Sequence, residues 1–183
     1  MATAATFIDR FSLLEHTMGA RRRPGLVMEF GVFEGETLRF IADRCGDVVH
    51  GFDSFEGLPA DWRPGFPRGS FACAPLQPHP HQTEIHVGLF ERSLPRFLAR
   101  HRASISFLHI DCDLYESTRT IFCLCGDRIV RNTVIVFDEF WGFPGWQHHE
   151  FRAFTEFLID QRRACELLGR VRGGEQAAFV MRN

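Results

Sequence analysis

The sequence predicts an α/β fold: a doubly wound, Rossmann-like sheet of seven strands, mostly parallel, with a C-terminal antiparallel hairpin. Three observations carry this expectation. From residue 26 onward, short apolar runs alternate with helix-period segments, the pattern of a parallel sheet covered on both faces. The last two apolar runs flank Arg172-Gly173-Gly174-Glu175, which has the glycines of a hairpin turn. The length, 183 residues, suits one domain around one sizeable core.

In chain order, Phe7, Phe11, Leu14 and Met18 fall at helical spacing, so residues 6–18 read as an amphipathic helix. That helix either packs on the main body or covers a substrate. Arg21, Arg22, Arg23, Pro24 and Gly25 complete an N-terminal helix and link, residues 1–25, ahead of a single domain at 26–183. Strands are expected at 26–30, 48–52, 85–87, 105–110, 134–137, 166–171 and 177–181, and helices at 37–43, 94–100, 117–130 and 149–161. Between the second and third strands, residues 54–84 hold Pro59, Pro64, Pro67, Pro75, Pro78 and Pro80. A connection this long without periodicity is a lid, a binding loop or a disordered segment, of which a lid is the favoured reading.

Composition excludes several chemistries. The formal net charge of -2 leaves no basic footprint for nucleic acid. No apolar run approaches the roughly 18–20 residues of a membrane span, and the N-terminus lacks the order of a signal peptide. All 21 basic residues are arginine. No side chain can therefore serve as a Schiff-base amine, a P-loop lysine or a lysine base. Cys45, Cys73, Cys112, Cys123, Cys125 and Cys165 form no C-x-x-C pair and read as buried thiols of a reducing compartment. A cytoplasmic location is the expectation.

Ligands of such sheets bind beyond the carboxyl ends of the strands. The first strand enters Gly31-Val32-Phe33-Glu34-Gly35 and then a helix, so glycine lets the backbone turn and approach a ligand, with free helical N–H groups beyond. Phe33 stands where a dinucleotide fingerprint has its second glycine, which disfavours a nicotinamide-dependent oxidoreductase. Asp53, at the end of the second strand, is placed to hold ribose hydroxyls or to cap a turn. Asp111 and Asp113 follow the fourth strand, and Asp138 and Glu139 follow the fifth. Carboxylates gathered at neighbouring strand ends repel one another unless a cation or proton intervenes, and magnesium suits them. With lysine absent, the candidate general bases are Asp113 first, then His148 and His149. Trp141 and Trp146 are either a wall for substrate or core. His79, His81 and His86 have the composition of metal ligands but read as part of a solvated loop.

Four strings, Met28–Gly35, Gly51-Phe52-Asp53-Ser54-Phe55-Glu56-Gly57-Leu58-Pro59, Leu108-His109-Ile110-Asp111-Cys112-Asp113-Leu114-Tyr115-Glu116-Ser117-Thr118 and Val136-Phe137-Asp138-Glu139, together resemble the macrocin O-methyltransferase (TylF-like) family. The resemblance spans residues 26–160 and implies a class I S-adenosylmethionine-dependent enzyme. It implies that Glu29, Gly31 and Gly35 line the methionine and ribose portion of the cofactor, that Asp53 holds the ribose, and that Ser54 and Phe55 lie near adenine. Asp111, Asp138 and Glu139 would hold Mg2+, although members often carry aspartate at the last position. The acceptor would be a hydroxyl of a small molecule, a sugar or natural product, and self-association is common among members. A noncatalytic S-adenosylmethionine-binding scaffold with the same fold is the alternative reading.

Overall fold

The computed structural model describes residues 4–77 and 82–183. Its centre is an eight-stranded sheet built from β1 (Ala5–Phe7), β2 (Leu26–Phe30), β3 (Val49–Asp53), β4 (Thr83–Val87), β5 (Ile105–Ile110), β6 (Ile129–Phe137), β7 (Cys165–Val171) and β8 (Ala177–Met181). The order across the sheet is β1-β7-β8-β6-β5-β2-β3-β4. Only β8 runs antiparallel, between β6 and β7. The α/β doubly wound architecture and terminal hairpin are as expected.

The strand count is corrected from seven to eight, because the segment read as the start of the first helix opens instead with β1. Helix α1 (Arg10–Ala20) starts late because the Asp9 carboxylate accepts from Ser12 N at 2.8 Å, while Ser12 Oγ accepts from Asp9 N. That reciprocal cap fixes the first turn. The residues before it extend and pair parallel with β7, where a Cβ at Gly169 would stand 2.6 Å from the Phe7 ring. A second boundary moves at residues 117–130. Helix α4 (Tyr115–Cys125) stops early, one 3-10 turn follows at Gly126–Arg128, and β-branched Ile129 and Val130 open β6.

Helices α2 (Glu36–Cys45), α3 (Phe90–Arg100) and α5 (Glu150–Asp160) complete the layers. Leu13, Leu14, Leu38 and Ile41 of α1 and α2 pack with Val27, Phe107 and Val136 on one side of the sheet. Leu94, Phe97, Ile121, Phe122, Phe154 and Phe157 of α3, α4 and α5 pack with Phe30, Leu108 and Phe137 on the other. Strand β2 lies between β5 and β3, and the chain leaves β2 into α2 on one side of the sheet but leaves β5 into α4 on the other. That divergence opens a crevice beyond the carboxyl ends of β2, β5 and β6. Among the described residues, no helix is long and apolar enough to cross a membrane.

Candidate active site

The crevice is a cavity of about 670 Å³, a size that suits a nucleoside-bearing ligand. Its floor is set by a close approach of two loops. Gly31 leaves β2 with φ 85°, and a Cβ there would stand 1.7 Å from the carbonyl oxygen of Asp111. Gly35, at φ 74°, caps α2 and has Leu76 of the proline-rich segment against it, a Cβ there falling 2.4 Å from that side chain. Phe33, Phe55 and Asp113, in the loops after β2, β3 and β5, are non-glycine residues with φ 48°, 58° and 63°. Backbone in this region costs of order 1–3 kcal/mol per residue and survives only where packing over-determines it.

Asp53 is wired into the glycine loop. Its Oδ2 accepts from Val32 N at 2.7 Å and Phe33 N at 2.9 Å, and Oδ1 accepts from Phe55 N at 2.8 Å. It lines the cavity with lone pairs to spare, since a carboxylate offers about four acceptor positions. Gly31, Gly35 and Ser54 also line it, whereas Phe55 turns into the core. Glu29 is placed differently from a cavity wall. It is fully buried in β2, paired in register with His109 of β5, and its Oε1 lies 2.7 Å from His109 Nδ1. Interior strand residues alternate faces, and Glu29 shares the α1 and α2 side with Val27.

The acids gather as expected. Asp111 and Asp138 converge with His109, one side-chain donor from each lying within 4.8 Å of the others. Asp138 N donates to Ile110 O at 3.0 Å, which holds the two strand ends level. Glu139 lines the cavity but stands outside that tight group. Burial, followed by the neighbouring carboxylates with Asp138 first, raises Asp111 well above the usual carboxylate range. Burial, followed by Asp111, does the same for Glu139. Asp113, nearly buried, is pushed up to about 7, chiefly by desolvation, with Arg63 pulling it down and Asp138 and Glu175 pushing it up.

A divalent cation fits this donor set. Among the described residues, Asp138 Oδ1, Glu139 Oε2, His109 Nε2 and Glu29 Oε2 are buried without a hydrogen-bond partner, and orphaned acceptors of this kind are costly unless an ion or water satisfies them. Arg10, the first residue of α1, supplies partial compensation: it bonds Glu36 at 2.7 Å and stands 3.6 Å from Asp138.

His148 and His149 are not brought to the cavity. His148 is exposed, and His149 packs on Phe143 with ring centroids 6.0 Å apart. Sequence reasoning missed Arg10, which lines the cavity, His109, which meets Asp111 and Asp138, and Glu150, which stands outside the lining. Glu150 is fully buried, and its Oε1 accepts from Cys112 N at 3.3 Å behind Asp113. Trp141 packs against the core rather than lining the cavity.

The proline-rich segment covers one side of the cavity through Gly57, Leu58, Pro59 and Phe71. Leu58 and Ser70 hydrogen-bond through the backbone at 2.8 Å, and Phe71 meets Phe33 edge-on at 5.8 Å. Arg63 pins it: both Glu175 oxygens accept from Nη1, at 2.9 and 3.0 Å, and the guanidinium lies 3.9 Å from the Trp62 ring and 4.6 Å from that of Phe143. The segment is thereby tied to the β7–β8 turn. His79 and His81 lie outside the described residues.

With this geometry in place, residues 28–140 match the family model of the methyltransferase domain. The chain belongs to the methyltransferase family. No curated protein matches its sequence. Among solved structures, the methyltransferase resembles CalS11, described as the calicheamicin methyltransferase, with 23% identity over 93% of this chain and 76% of that one, TM-score 0.74. It resembles the O-methyltransferase NovP with 19% identity over 95% and 80% of the two chains, TM-score 0.74. It also resembles MycE of the mycinamycin biosynthetic pathway, solved with Mg, SAH and mycinamycin VI, with 16% identity over 94% and 49%, TM-score 0.58. At these identities the likenesses establish a shared fold.

Proposed function

We propose that this methyltransferase is an S-adenosylmethionine- and Mg2+-dependent O-methyltransferase of the macrocin (TylF-like) kind, acting on a hydroxyl of a sugar or sugar-bearing natural product. The observation that carries the reading is the convergence of Asp111 and Asp138 on one point beside the glycine-loop cavity. The descriptions of CalS11 and MycE as methyltransferases of calicheamicin and mycinamycin biosynthesis, and of NovP as an O-methyltransferase, support the acceptor class.

Gly31, Gly35, Asp53 and Ser54 would hold the nucleoside, with Asp53 offering its spare lone pairs to the ribose. The sulfonium supplies an electrophilic methyl, so the protein's main task is to align an oxygen with it. Asp111 and Asp138 would hold Mg2+, with Glu139 on the same cavity wall outside their tight group; the ion when bound lowers the pKa of a hydroxyl and fixes its direction. Asp113, on the cavity wall and titrating near neutrality, accepts the hydroxyl proton. Leu58, Pro59 and Phe71 keep water from the reacting oxygen.

Transfer of labelled methyl from S-adenosylmethionine to a panel of nucleotide sugars and glycosides, with Mg2+ or with chelator, tests this. Turnover that disappears with chelator, together with a rise in melting temperature on adding S-adenosylhomocysteine but not NAD, is the expected result. Binding with no metal-dependent turnover on any hydroxyl acceptor would instead leave the noncatalytic scaffold reading.

A pH profile gives a second check. Asp113 is competent as a base only when deprotonated, so kcat falls on the acid side as Asp113 takes up a proton, at a pH below the metal-free value of about 7 once Mg2+ is bound beside it. Arg63 lowers the Asp113 pKa, so Arg63→Ala moves that acid limb to higher pH. The same variant unties the cover, and limited proteolysis within residues 54–77 is expected to quicken. An unmoved limb would remove Asp113 as the base.

A further inference from the structure

A second cluster of metal-ligating side chains stands apart from the cavity, at the edge of the sheet where β3 meets β4. His50, Glu84 and His86 each bring one donor atom into a group lying within 4.8 Å. None of the three lines the cavity. The register creates the group: His50 pairs with Glu84 and Phe52 with His86, and in parallel strands registered neighbours share a face, as do residues two apart. His50 Nδ1 lies 3.2 Å from Glu84 Oε2 and 3.4 Å from His86 Nε2, and His86 Nε2 lies 3.9 Å from the same oxygen. Bonds of about 2.0–2.2 Å to a tetrahedral zinc ion require donors about 3.3–3.6 Å apart, so these three atoms already trace a face of that tetrahedron with little movement.

The surroundings favour ligation. The His50 and His86 rings pack on Phe97 at 4.6 and 4.8 Å, and His86 stacks on Phe52 at 4.6 Å. Burial is the main cause lowering the pKa of both, His50 to about 4, so each imidazole is neutral at pH 7 and has a lone pair to donate. Side-chain exposure rises from 7% for His50 through 23% for His86 to 54% for Glu84, which leaves water access to a fourth position. Two imidazoles and one carboxylate suit zinc better than magnesium or calcium, which favour all-oxygen shells.

We propose that His50, Glu84 and His86 form a tetrahedral Zn2+ site completed by water. An ion shared by the two strands anchors β4, the outermost strand of the sheet, close to where the chain re-enters it after the segment that covers the cavity.

The test is a titration of the full-length, metal-free, thiol-reduced protein with Co2+ and then Zn2+, following visible absorption and melting temperature, independently of methyl transfer. Expected are the strong visible bands of tetrahedral Co2+ at one equivalent, loss of those bands on adding Zn2+, and a melting temperature raised by a few degrees. Glu84→Gln changes an exposed residue and preserves the fold; it and His86→Gln each weaken Co2+ binding at least about 10-fold, whereas Asp138→Asn in the cavity leaves the bands intact. Absence of tetrahedral bands in the wild-type protein overturns the proposal. So do bands that persist in Glu84→Gln and His86→Gln, or bands accompanied by thiolate charge-transfer absorption, which would put the ion on cysteine.

Discussion

Asp111→Asn is expected to lower kcat/KM by at least about 10³-fold while leaving S-adenosylhomocysteine affinity within a few-fold of wild type. The asymmetry follows from placement. Asp111 meets Asp138 and His109 at the ends of β5 and β6, whereas the groups offered to the nucleoside, Gly31, Gly35, Asp53 and Ser54, come from the loops after β2 and β3. The same variant should stabilise the metal-free protein at pH 8. The folded-state pKa of Asp111 is raised, so the native state binds a proton more tightly than the unfolded chain does. Its favourable contribution is complete below the unfolded value near 3.9 and disappears as pH rises through the raised one, where like-charge repulsion remains. An uncharged amide removes that pH-dependent loss. Urea denaturation at pH 5 and pH 8 with chelator present measures it. A variant that turns over normally with magnesium would take the metal out of the mechanism.

Gly31→Ala is expected to be the most damaging small substitution in the chain. The added carbon would fall 1.7 Å from the Asp111 carbonyl oxygen and 2.7 Å from its carbonyl carbon, both backbone atoms, on a residue with φ 85°. Neither loop can yield without moving a strand end, so a loss of about 4 kcal/mol or more is expected, or no soluble protein. Gly65→Ala is the control. Gly65 has a similar φ of 92° but nothing within 4 Å of the added carbon, which leaves only the conformational cost of about 1–2 kcal/mol. Equal midpoints for the two variants in urea would show that the β2–β5 approach is looser than described.

The central strands were legible because fully buried parallel strands announce themselves as apolar runs; the fourth expected strand, 105–110, has the observed bounds. The acid pairs were legible for a related reason, since residues immediately after such runs must emerge at one edge of the sheet. What escaped notice depends on contacts between distant segments. Strand β1 has three residues and exists because Gly169 leaves room for Phe7. The pairing of Glu29 with His109 follows from cross-strand register, which no local pattern encodes, and the same holds for His50, Glu84 and His86. The His148-His149-Glu150 run was read for its imidazoles, yet the turn preceding α5 carries them away from the cavity and buries the carboxylate instead.

The backbone of Phe33, Phe55 and Asp113 has a bearing on attempts to make this enzyme more robust. Replacing half-exposed Phe33 with glycine or asparagine relaxes a left-handed residue without emptying the core, as the same change at buried Phe55 would, so a heat-selected library would be drawn to this loop. All three sit in loops leaving strand tips around the crevice, and what such variants gain in thermal tolerance they would forfeit in the shape that receives the substrate.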